Sequence, residues 1–70
     1  MSELTHLVDF VGTDCYEGWA YPGTATSSAK WRIKKIEAYA TDALTYWADH
    51  DPRFTKVWDD RLTGGYVYGP

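Results

Sequence analysis

The chain reads as a mainly β protein: a small antiparallel sheet or partly open barrel of three to five strands, with one short helical segment. Three observations predict this class. Apolar and polar residues alternate at period two in "CYEGWAY" (15–21) and again in "KWRIK" (30–34). β-Branched and aromatic residues dominate 31–39 and 44–47. Turn formers punctuate the runs at Gly12, Pro22-Gly23, Pro52 and Gly64-Gly65. With 70 residues, the chain makes one β-rich domain, near the size at which a single core only just suffices.

Each element follows from its residues. "LTHLVDFV" (4–11) ends at Gly12 and reads as a short strand, so that 1–12 is an edge strand or an extended N-terminal arm. In 15–21, Cys15, Glu17 and Trp19 fall on one side, and Tyr16 on the other. Gly18 inside that run marks a bulge or a close backbone approach. Pro22-Gly23 forces a turn, and "PGTATSS" is a loop of small residues whose hydroxyls can satisfy their own backbone.

Residues 28–48 fit two periods. At period two, Trp31 and Ile33 point inward while Lys30, Arg32 and Lys34 point out, and adjacent Lys34-Lys35 shift the phase as a bulge would. At helical period, Ile33, Ile36, Ala40, Ala43 or Leu44, and Trp47 form a stripe. Composition favours a hairpin turning at "ATDA" without excluding one helix. "DHDP" (49–52) is a turn or loop. In 53–61, Phe54, Val57, Trp58 and Arg61 recur at helical intervals, giving one or two turns. Tyr66-Val67-Tyr68 closes the chain as an extended piece.

Composition narrows the function classes. Cys15 stands alone, so no internal disulfide can form, which suits a reducing compartment. No secretory signal or membrane span is expected. A net charge of −3 speaks against nucleic acid as a partner. Residues 1–28 hold Glu3, Asp9, Asp14 and Glu17 with no Lys or Arg, whereas Lys30, Arg32, Lys34 and Lys35 fall within six positions. Either those bases are a solvated strand face, or they dock on an acidic neighbour, another copy's N-terminal region included. Four Trp, six Tyr and two Phe are more rings than so small a core can cover, so some face a partner.

No catalytic or ligand motif fits. Gly23 has no second glycine before Lys30, which excludes a phosphate loop. "SSAK" lacks the companion motifs of a serine nucleophile. "DHD" and Asp59-Asp60 supply no complete metal shell, and no carboxylate pair sits in apolar surroundings. Asp14 and Glu17 disfavour the Cys15 thiolate. Catalytic, cofactor and metal residues are therefore none, and an enzyme is not expected. "WDDR" (58–61) is the most informative polar cluster, because Arg61 can cover Trp58, pair with an Asp, or reach a partner.

Two segments together, "YPGTATSSAKWRIKKI" (21–36) and "YWADHDPRFTKVWDDRLTGGY" (46–66), resemble small proteins encoded by tailed bacteriophages and prophages. Their pattern is similar to PGTATS-x-x-x-W-x-I, then A-D near a loop, then W-D-x-R ending in a Tyr. The resemblance implies a β-rich unit framed by Trp31, Ile33, Trp58, Asp59, Arg61 and Tyr66, with 31–47 a hairpin. Two positions depart from it: His50 stands where such loops carry Gly, and "ATDA" replaces a Gly-rich turn. Such proteins are described as virion-associated or are uncharacterised, and the reading that follows is a minor structural protein of the virion, made in the bacterial cytoplasm and docking on capsid or tail. Its expected partners are other virion proteins and further copies of itself. Candidate interaction residues are Lys30, Arg32, Lys34, Arg61, Trp19, Tyr66 and Tyr68. The alternative is a phage-encoded adaptor or inhibitor of a host protein.

Overall fold

Alternation in the first two thirds of the chain resolves into a meander. The computed structural model describes residues 3–69. Strands β1 (Thr5–Val11), β2 (Asp14–Ala20), β3 (Arg32–Ala38) and β4 (Ala43–Trp47) form one open antiparallel sheet in chain order. Residues 5–11 are thus an edge strand, while positions 1 and 2 lie outside the described residues. Gly12-Thr13 is a two-residue turn, and Gly12 takes the positive φ of 62° that a tight hairpin needs. At the other hairpin the amide of Tyr39 donates to the Asp42 carbonyl at 2.8 Å, so "ATDA" does turn the chain.

Register fixes which side chains share a face. Leu7, Gly18 and Ile33 lie side by side on the covered face, followed by Asp9, Tyr16, Lys35 and Tyr46. One expectation is corrected here. Pairing runs unbroken through Lys34↔Glu17, Lys35↔Tyr16 and Ile36↔Cys15, so no bulge shifts the phase at Lys34-Lys35. Lys35 accordingly points to the covered face, where Asp14 and Glu37 bind its ammonium at 3.6 and 3.1 Å. The helical segment expected in 53–61 is a single turn. Its regular part is one 3-10 turn, Trp58–Asp60, preceded by extended backbone at Val57.

The covering layer is residues 48–69. Trp31 and Lys56 pair as an isolated bridge, each amide donating to the other's carbonyl at 2.9 and 2.8 Å. That bridge swings Trp58 over β2, and Tyr16, Ala20, Trp31, Ile33, Ala48 and Trp58 form the buried core, with Leu7, Tyr66 and Tyr68 packed at its margin. Trp31 is 1% exposed and Ile33 0%. Gly18 is the close approach, because only a residue without Cβ leaves room for the Trp58 ring. "PGTATSS" holds both indoles in place. Its Ala25 carbonyl accepts from Trp31 Nε1 at 2.9 Å, and its Thr26 carbonyl accepts from the Asp59 amide at 3.1 Å. Thr24 Oγ1 donates to the Tyr21 carbonyl at 2.7 Å, closing the loop on itself.

A second 3-10 turn, Ala48–His50, anchors the C-terminal piece. The Asp49 amide donates to the Val67 carbonyl, and the Val67 amide returns to Asp49 Oδ1, both at 2.8 Å. Asp49 and His50 both have positive φ, 54° and 58°. The position at which the phage-type pattern has Gly is thus one where glycine is the least strained residue.

Candidate functional site

Among the described residues, the opposite face of the sheet is left open except where Phe54 of 48–69 reaches Arg32. Three rows cross it. His6, Trp19 and Arg32 form one; Val8, Glu17, Lys34 and Trp47 the next; Phe10, Cys15, Ile36 and Thr45 the third. The first two rows make a cluster of cations and aromatic rings, and the third is apolar, with Phe10 77% exposed.

Cross-strand pairing builds the cluster. Trp19 on β2 stacks on His6 of β1, centroids 4.8 Å apart and planes within 2°. It leans toward Trp47 of β4 at 6.0 Å. Between the two indoles, β3 supplies the charges. The Arg32 guanidinium carbon lies 5.1 Å from the Trp19 centroid, 5.4 Å from Trp47 and 5.1 Å from Phe54 of the covering segment. Lys34 Nζ lies 5.5 and 4.8 Å from the same two indoles. Such contacts orient a cation at a gain of about 0.5–1 kcal/mol each in partly exposed settings. Tyr21 extends the aromatic rim, 5.6 Å from Phe54.

Electrostatics set these cations apart. Of the seven basic residues, Lys35, Arg53, Lys56 and Arg61 each contact a carboxylate. Lys30, Arg32 and Lys34 have no carboxylate partner among the described residues. Arg32 Nε is also buried without a hydrogen-bond acceptor. Glu17, the acid on this face, is turned to His6 at 3.2 Å.

The candidate residues therefore divide. Trp19, Arg32 and Lys34 meet on the open face, whereas Lys30 stands exposed in the loop just before β3. Arg61 lies on the covered side, its guanidinium 4.4 Å from the Trp58 centroid and its Nη2 2.9 Å from Asp9 Oδ2. It clamps the 3-10 turn to β1. Tyr66 accepts from the Val57 amide at 2.8 Å, and Tyr68 donates to the Arg61 carbonyl at 3.0 Å. Burial pushes the Tyr68 phenol well above its ordinary range, with Tyr16 and Tyr66 adding to the effect. Those three residues serve the fold. His6, Trp47 and Phe54 belong to the cluster and were missed by sequence reasoning. The strand register would have found His6 and Trp47, and nothing local marked Phe54.

Other polar groups have structural partners. Asp51 binds Arg53 and the buried Lys56, at 2.9 and 3.2 Å, and His50 contacts the Gly69 carbonyl. Among the described residues no cluster of three or more His, Cys, Asp or Glu is placed to hold a metal, and no helix is long and apolar enough to cross a membrane. Burial raises the Cys15 thiol, as do the charges of Glu17 and Asp9. The N-terminal acids are mostly engaged in the chain itself: Asp9 by Arg61, Asp14 by Lys35, Glu17 by His6. Compared with known proteins, the chain matches no family model, no curated protein and no solved structure.

Proposed function

We propose that the chain is a binding module, a minor structural protein of a bacteriophage virion that docks its open sheet face on an acidic protein surface of the particle. One observation carries the docking: Arg32 and Lys34 are held over Trp19 and Trp47, with no carboxylate of their own among the described residues. Aromatic rings and Arg are the residue types enriched at protein interfaces. The virion assignment rests on the resemblance of 21–36 and 46–66 to phage-encoded proteins. An acidic surface of another protein suits the face better than a copy of this chain, because three of the four N-terminal acids that would meet the stripe already have partners.

Mass spectrometry of purified particles from a phage encoding the chain tests this function. Recovery in a fixed ratio to capsid or tail proteins supports it. Absence from particles, with the chain found on a host protein during infection, replaces it with the adaptor reading.

A further inference from the structure

We infer that the open face contains a carboxylate-binding site in which Arg32 is the anchor and Lys34 the second charge, and that its ligand is an Asp or Glu side chain of the docking partner. The inference rests on the docking reading for its face, and not on the virion assignment.

Three features point to this site. Arg32 is held among rings from three elements, Trp19 of β2, Trp47 of β4 and Phe54 of the covering segment, at 5.1 to 5.4 Å. A guanidinium confined in this way has already lost much of the rotamer freedom that binding would otherwise remove. Second, the Arg32 side chain makes no hydrogen bond to protein among the described residues, and its Nε is the one buried side-chain polar atom there without a partner. Nε is closed off by the chain itself, so a carboxylate would be met by the two terminal amino groups of the guanidinium. Third, Lys34 stands over the same two indoles. Two positive charges therefore converge on one aromatic floor.

Geometry selects the ligand. The guanidinium fork matches a carboxylate through two parallel N–H···O bonds, which an ammonium cannot reproduce. Single-stranded nucleic acid would require free ring faces on which bases stack. Here Trp19 is stacked on His6, and both indoles carry the chain's own cations.

The test is a titration of the purified chain with a capped pentapeptide of alternating Glu and Asp, read from the indole N–H signals of all four tryptophans. Its Gln/Asn counterpart and a five-base oligothymidine are run in parallel. Saturable shifts at Trp19 and Trp47, absent at Trp31 and Trp58 and absent with the amide peptide, are expected. Arg32→Lys keeps the charge and loses the fork, and should weaken binding at least tenfold; Lys34→Met should weaken it less. Equal binding of the amide peptide overturns the site without any variant. So does tighter binding of the oligothymidine, or full affinity in Arg32→Lys. Peptide binding by a chain absent from particles leaves the site standing and removes only the virion assignment. A particle-bound chain that ignores the peptide does the reverse.

Discussion

Trp58 lies directly on Gly18: a methyl group placed on the Gly18 Cα would overlap Cε3 and Cζ3 of the indole. Neither group can give way easily, since β2 is paired on both sides and Trp58 is wedged beneath Arg61. Gly18→Ala should therefore destabilise the fold by about 1–3 kcal/mol through overpacking. Urea denaturation checks this, and a variant as stable as the parent would mean that Trp58 packs elsewhere.

Trp31 and Trp58 supply most of the large buried surface. Trp31→Ala or Trp58→Ala should each cost about 3–5 kcal/mol, enough to prevent folding in so small a chain. Trp31→Phe should cost less, by keeping a ring while leaving the Ala25 carbonyl without its donor. The loss of dispersed amide signals in nuclear magnetic resonance spectra distinguishes these outcomes.

His50 holds a left-handed backbone at φ 58°. Replacing it by glycine relieves that strain and loses the contact to the Gly69 carbonyl. Relief should win, so that His50→Gly raises stability by about 0.5–1 kcal/mol. Thermal melts of the two proteins, at one protein concentration, decide it.

Acid should weaken the fold through two carboxyls. The Asp51 carboxyl is held well below its ordinary range, first by hydrogen bonds from Arg53 and then by Lys56. Glu37 is lowered by Lys35 and Tyr39. Both bind protons more readily in the unfolded chain. Their stabilisation is thus fully present above the ordinary carboxylate range and is lost as pH falls through it and below. Asp51→Asn should flatten this acid limb in denaturation curves taken from pH 7 down to pH 2.

Docking by Arg32 and Lys34 is partly exposed to solvent, so its rate should fall as ionic strength rises. Arg32→Glu with Lys34→Glu should abolish docking on purified particles while leaving the circular dichroism of the free chain unchanged. Salt-independent docking by the double variant would show that another surface makes the contact.

Much of this architecture was legible in the residues. Period-two alternation placed Trp31 and Ile33 inside and Arg32 and Lys34 outside, because a strand has no other way to divide its side chains. The close approach at Gly18 could be read as one of two alternatives, although its partner Trp58 lies 40 residues further along. Lys34-Lys35 misled because a lysine on the covered face seemed to need a bulge. The acids Asp14 and Glu37, on neighbouring positions of the register, instead make that burial tolerable. Arg61 was ambiguous for the same reason: its partner Asp9 is 52 residues away. In the site, Trp19 was legible and Phe54 was not, since the covering segment brings it across by tertiary folding alone.

The Trp31–Lys56 bridge divides the molecule's kinetics. Both hairpins close over a few residues and can zip locally, while the covering segment must return over a far longer stretch, a slower search. Once docked, it is fastened at the bridge, by the Asp59–Thr26 bond and by Arg61 on Asp9, none of them part of the backbone pairing among the four strands. The cover can therefore lift as one cooperative unit, baring the inner side of the sheet while every strand stays paired. Amide protons at Trp31, Lys56 and Asp59 would then exchange together, ahead of those in the centre of β2 and β3. Phe54 travels with that unit, so each lifting of the cover also withdraws one wall from around Arg32.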